Sequence, residues 1–268
     1  MKSYIFSYQT IVRFSQPITR HAVLLRPLPF CGSYMNVEEE HLLISPSFHV
    51  RKGLDALGNR IVYGLQHEPH SSLVYVSSGI VSMEDYRCSL DAIPLMVYRE
   101  PTSLTFLSEE DIAAESAIHD GLPHPSLSQE KDTFAMARRI CHFVYERMQY
   151  VPEVTTTETT ASEVWKNRQG VCQDYAHLMI ALCRKQGIAA RYVCGMMEGE
   201  GETHAWVEVC DGTEWRGFDP THDVEIKQGY LKLAHGRDAA DCPVSRGLYM
   251  GNASQETEVH ILLIGETY

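Results

Sequence analysis

Short apolar runs, each closed by a turn signal, fill the first hundred residues and leave no helical period between them. SYIFSYQTIVRF, RHAVLLRPLP, EHLLISPSFHV, NRIVYGLQHE and SSLVYVSSGIVSM are rich in Val, Ile, Leu and Tyr; Pro-Leu-Pro, Cys-Gly-Ser and Gly58-Asn59 separate them. Parallel neighbours need long crossover connections, which this stretch lacks, so its strands must run antiparallel. The spacing predicts an antiparallel, sandwich-like β domain over residues 1–105. Its histidines, His21, His41, His49, His67 and His70, have no cysteine or second ligand pair beside them and read as loop or surface residues.

From about Ser103 the period changes. LSEEDIAAESAIHDGLPHPSLSQE reads as a short helix and then a Gly/Pro/Ser linker. DTFAMARRICHFVYERMQY carries Phe134, Ala137, Cys141, Val144, Tyr145 and Met148 at helical spacing, which predicts a core-facing amphipathic helix. In TTASEVWKNRQG, Thr160 stands three residues before Glu163, a capping-box pattern, and the helix is expected to close on Gly170. CQDYAHLMIALCRKQG is apolar through most of its length and predicts a buried helix stopped at Gly187. Strand periodicity returns in AARYVCGMME, HAWVEVC and EWRGFDPT. The expectation is an α+β chain with residues 106–268 as a second, catalytic domain.

The formal charge of −12 disfavours nucleic acid and anionic membranes, because a phosphate backbone needs a basic footprint. MKSYIFSYQTIVRFSQ has no apolar core of a secretory signal, and no stretch approaches the ~18 apolar residues of a spanning helix. The eight cysteines show no CxxC pair or repeat and read as reduced, mostly buried small side chains. A cytoplasmic protein is expected. Glycine-rich phosphate loops, EF-hands and paired zinc-ligand motifs do not occur, so neither cofactor nor metal is expected.

Chemistry concentrates around Cys172. A thiol at the start of a helix lies near unpaired backbone N–H groups and the positive end of the helix dipole, which favours thiolate and can hold an oxyanion. Gly170 lets the preceding backbone turn tightly. Further on, Asp211-Gly212 separates two alternating runs, a strong hairpin signal. A two-residue loop there puts Cys210 opposite Thr213 and His204 opposite Asp219. A carboxylate behind an imidazole fixes its tautomer and supports its charged form, so Cys172, His204 and Asp219 suit the roles of nucleophile, base and orienter.

GVCQDYAHLMIALCRKQGIAARYVCG, HAWVEV, GFDPTHD and GRDAADCPVSRG closely resemble the bacterial transglutaminase-like family, often described as candidate cysteine proteases. LLRPLP and LDALGN are similar to the amino-terminal β domain that accompanies its core. The resemblance spans almost the whole chain and is most specific from Val171 to Asp223. It implies a papain-like α+β core with a Cys-His-Asp triad at Cys172, His204 and Asp219. This chain departs at Glu153, where the family more often has glycine, and at Cys242, where it more often has an aliphatic residue.

Two further residues are candidates for substrate or oxyanion binding: Trp165 through its indole N–H, with core packing as the competing reading, and Gln173 beside the nucleophile. His177, Tyr192 and Trp206 read as packing residues, and Arg237-Asp238 as a structural ion pair. The expected function is thiol-dependent acyl transfer on a peptide or protein carboxamide, resolved by water through a thioester. Resolution by an amine (transamidation) and a non-enzymatic interaction scaffold are the alternatives. Homo-oligomerisation is left open.

Overall fold

A computed structural model describes residues 1–111 and 132–265. Most of the short helix and linker expected between Leu107 and Glu130 lies outside the described residues. The chain opens with β1 (Lys2–Leu25), β2 (Met35–Ser45), β3 (Val50–Leu54), β4 (Arg60–Gln66), β5 (His70–Met83) and β6 (Arg87–Ser89). It continues through α1 (Thr133–Arg147), β7 (Gln149–Tyr150), α2 (Ala161–Asn167), β8 (Gln169–Gly170) and α3 (Cys172–Lys185). Strands β9 (Ala189–Met197), β10 (Gly199–Gly201), β11 (His204–Cys210), β12 (Glu214–Asp219), β13 (Val224–Glu225), β14 (Tyr230–Gly236), β15 (Ser245–Met250) and β16 (Gln255–Gly265) follow.

Two antiparallel sheets result. An 8-stranded sheet gathers β1–β5 with β10, β15 and β16; a 6-stranded sheet runs β13-β12-β11-β9-β14, with β6 on β12. Sheet membership therefore crosses residue 105 both ways: the last strands return to the first sheet, and β6 joins the second. Alternation in β1 buries Tyr4, Phe6, Tyr8, Thr10, Val12 and Phe14 on one face. Past Arg13 the register slips and Arg20 takes a left-handed φ of 48°. The strand then leaves β5 and β16 for β4 and β15.

The second sheet is covered on both faces. Trp206, Cys210, Val193 and Leu231 pack with Tyr4, Phe6 and Tyr75 of the first sheet. Ala205, Val207, Val209, Tyr192 and Cys194 face Leu178, Met179 and Ile140 of the helices. This double burial explains why α3 is apolar through most of its turns. Among the described residues no helix is long and apolar enough to cross a membrane.

Between the sheets lies a buried charge cluster. Glu208, fully buried, takes Tyr86 Oη at 2.7 Å, Arg191 Nε at 2.5 Å and Lys232 Nζ at 2.9 Å. Arg191 also meets Asp91 and lies over the Trp215 ring at 4.0 Å. Burial alone would raise the Glu208 pKa; the charges of Arg191 and Lys232 outweigh it and hold the carboxyl well below its usual range.

The expectation of surface histidines fails for His21 and His70. Both are buried, their rings stack, and Nδ1 of one lies 3.1 Å from Nε2 of the other. The slip in β1 turns His21 inward, which alternation along the strand could not foretell. Burial, and next the facing His70, lower the His21 pKa to about 4. An unfolded histidine binds its proton near 6.5, so between about 6.5 and 4 the unfolded chain takes up a proton that the folded one refuses. Stability is therefore lost as pH falls through that window. A thermal midpoint that declines no more steeply there in the wild type than in His21→Phe would contradict this.

Candidate active site

The turn before α3 is held by one carboxylate. Asp174, buried on the first turn of α3, accepts the Val171 N–H and the Thr155 hydroxyl, each at 2.7 Å. Asp174 and Tyr175 donate their N–H groups to Val171 O, and those of Cys172 and Gln173 meet no acceptor among the described residues. α2 ends on Arg168, in the left-handed region at φ 56°, rather than on Gly170. Gly170 serves closeness instead: a Cβ there would lie 2.4 Å from Asp174 Oδ2. Gly170→Ala should push Asp174 off Val171, displace Cys172, and cost about 1–3 kcal/mol of stability. It should also slow alkylation of Cys172; unchanged melting and labelling would refute the role given to this glycine.

The hairpin differs from its expected register. Cys210 pairs with Trp215 rather than Thr213, so four residues form the loop. Asp211 caps it, accepting from Thr213 and Glu214 N–H groups, and Gly212 takes φ 102°. The two-residue shift keeps every side chain on its face. His204 consequently meets Asp219 on the diagonal, with Nε2 2.8 Å from Oδ2. Asp219 is fully buried, and Oδ2 also takes His222 Nδ1 at 2.7 Å and Tyr230 Oη at 2.8 Å, while Oδ1 accepts Thr221 N–H. Burial opposes the charge on this carboxyl, but the two imidazoles hold its pKa well below the carboxylate range.

His204 is brought between Asp219 and Cys172. Burial lowers its pKa, yet hydrogen bonds to Asp219 and then to Cys172 raise it to about 10. Nε2 faces the acid. A histidine whose folded pKa exceeds its unfolded 6.5 stabilises the fold fully below 6.5 and loses that contribution as pH climbs through 10. The alkaline decline in thermal midpoint should therefore be shallower in His204→Ala; equal slopes would argue against the shift.

Cys172, partly exposed, opens with His204 and Gln173 onto a cleft of about 690 Å³. A larger concavity, about 950 Å³, lies on the first sheet over Tyr63, Leu65 and Leu248, but none of its lining residues is a cysteine or a carboxylate. The smaller cleft is the one lined by both Cys172 and His204. Gln173 lies at its edge, with Nε2 3.4 Å from Thr156 O. Trp165 does not line it: its indole N–H donates to Asp111 O at 3.0 Å and its ring lies beneath Arg147. The donor role considered for Trp165 therefore has no free N–H here, and its packing reading fits.

His177 is buried, as expected of a packing residue, and accepts the Ala239 N–H. Tyr192, read from sequence as packing, is buried but also lines the cleft. Its inward position on β9 was legible; its reach to the cleft was not. Arg237 pairs with Asp241 at 2.8 Å rather than with Asp238. Glu153 takes φ 65°, a conformation glycine adopts at lower cost, which accounts locally for the chain's departure from glycine being unusual. His204, Asp219 and His222 place ligand atoms within 4.8 Å of one another. Those atoms are already engaged in direct imidazole–carboxylate hydrogen bonds.

Residues 122–220 match the transglutaminase-like superfamily core, and residues 4–82 match the bacterial transglutaminase-like N-terminal region. The uncharacterized protein Rv2569c of Mycobacterium tuberculosis is 36% identical over 226 residues, covering 74% of this chain and 72% of that protein. An uncharacterized protein of Mycobacterium leprae is 28% identical over 213 residues, 71% of this chain and 73% of its own length. A crystal structure from Cytophaga hutchinsonii, named as a candidate cysteine protease, superposes over 100% of this chain and 92% of its own at a TM-score of 0.77 and 22% identity, which speaks for the fold. Cysteine, histidine and aspartate converge inside the matched core, and the chain belongs to the bacterial transglutaminase-like family.

Proposed function

We propose that the chain is a thiol-dependent acyl-transfer enzyme acting on peptide or carboxamide carbonyls, with Cys172 as nucleophile, His204 as base and acid, and Asp219 as orienter, in a papain-like arrangement. The observation that carries this reading is the position of the His204 ring, bonded to a buried carboxylate and lining the same cleft as Cys172. The sulfur attacks the carbonyl carbon, forming C–S, while its proton resides on His204. Oxyanion charge falls toward the Cys172 and Gln173 N–H groups. As C–N breaks, the imidazolium gives its proton to the departing amine. Water, relieved of a proton by His204, then attacks the thioester; C–O forms, C–S breaks, and the acid leaves. An amine in place of water gives transamidation. We favour hydrolysis because the cleft is open to solvent, and a reducing compartment such as the cytoplasm, because its cysteines are free.

The test is alkylation followed site by site by mass spectrometry. Cys172 should react with iodoacetamide at pH 6 at least tenfold faster than exposed Cys31. His204→Ala should remove that advantage, and Cys172→Ala should abolish turnover. Equal reactivity at the two thiols would favour the scaffold reading. Stoichiometric zinc in the purified protein, lost in His222→Ala, would favour a metal site on His204, Asp219 and His222 instead.

A further inference from the structure

Four glutamates line the Cys172 cleft, Glu153, Glu198, Glu200 and Glu202, and no lysine or arginine does. Glu198 is met by Lys2 at 3.4 Å. Glu153, Glu200 and Glu202 are exposed and have no ion-pair partner among the described residues. Glu40 and Glu225, outside the cleft, are by contrast answered, by Arg60 and Lys52 and by Arg138 and Lys227. Four carboxylates with no lysine or arginine in one lining make the cleft acidic in a chain whose net charge is −12.

A second observation is independent of the charges. Tyr192 is only 5% exposed, lines the cleft, and its hydroxyl has no hydrogen-bond partner among the described residues. Its side chain is buried while its hydroxyl opens on the cleft, where it can donate to what enters. Burial, and next the Cys194 and Cys172 sulfurs, raise its pKa well above the ordinary phenol value, so it remains a donor. Tyr150, on the same wall and 52% exposed, offers an aromatic face of the kind that cations pack against.

We propose that the cleft selects peptides bearing lysine or arginine beside the reacting carbonyl, with Glu153, Glu200 and Glu202 holding the cationic side chains and Tyr192 donating to a peptide carbonyl. This rests on the acyl-transfer reading of the same site. Clustered charges of one sign at a cleft concentrate and orient ligands of the other, and salt screens the effect.

The test uses two methanethiosulfonate reagents of similar size, one carrying trimethylammonium and one sulfonate. Thiolate attacks the thiosulfonate sulfur, a mixed disulfide forms, and methanesulfinate leaves. Rates are followed at Cys172 and, as internal reference, at exposed Cys31. The cation-to-anion rate ratio at Cys172 should exceed that at Cys31 by about tenfold at low ionic strength and shrink at roughly 0.5 M NaCl. Combining Glu153→Gln, Glu200→Gln and Glu202→Gln should bring the ratio down to that of Cys31. A fast Cys172 with the charge ratio of Cys31, or a ratio untouched by the three substitutions and by salt, overturns this proposal alone. A Cys172 no faster than Cys31 with either reagent overturns the acyl-transfer reading and this proposal with it.

Discussion

Asp219→Asn should leave the chain folded and lower turnover by about 10²–10⁴-fold. Three side chains converge on Oδ2: His204, His222 and Tyr230. An amide of the same shape keeps the space filled but cannot balance an imidazolium. Burial would continue to disfavour the charged ring of His204, and the largest contribution opposing burial would be gone. The imidazole would hold a proton less readily, so the leaving amine would lack its acid. Before a substrate is known, the same loss is readable as slower alkylation of Cys172 at pH 6, by at least tenfold, with the pH of half-maximal labelling moved upward. His222→Gln separates orientation from mere proximity: it removes an exposed neighbour of the same oxygen and should cost far less. Equal losses in the two variants would mean that Asp219 does not act through His204.

Glu208→Gln should be the most destabilising conservative change in the chain. Glu208 and Asp91 face Arg191 and Lys232, and three of these four groups are almost entirely out of water. Neutralising Glu208 leaves a buried positive charge uncompensated, which typically costs about 3–5 kcal/mol. A chain of this size shifts its midpoint by roughly 2–4 °C per kcal/mol, so a fall of about 6–20 °C is expected in a thermal melt. Removing the second charge as well, Glu208→Gln with Lys232→Met, should recover part of the loss, because Arg191 then keeps Asp91. A single variant melting within a degree or two of the wild type would show that the cluster is neutral in net effect.

The elements were readable where local chemistry decides them. The Thr160–Glu163 capping box starts α2, and Gly187, at φ 72°, follows the end of α3. The contact of His204 with Asp219 was readable too, because parity along β11 and β12 survives a two-residue error in loop length. What escaped depends on long-range pairing. Glu208 shares a face with His204 and Trp206, and nothing in HAWVEVC says that this face meets another sheet rather than water. Arg191 and Lys232 were hidden for the same reason. The return of β15 and β16 to β1 leaves no local trace, since an edge and a central strand can share one alternation.

Ile261, on the final strand, borders the cleft, and β10 beside it is hydrogen-bonded to that strand rather than to the sheet that carries His204. Tyr4 pairs with Gly265, so this wall exists only after the most distant parts of the sequence have met. Closing so large a loop is slow, while α3 and the β11–β12 hairpin form from near neighbours. Sulfur and imidazole could thus come together earlier than the surface that confines what reaches them. On the proposed acyl-transfer reading, a newly made molecule would pass through an interval in which its thiol is reactive but indiscriminate, and fraying of β16 would restore that state.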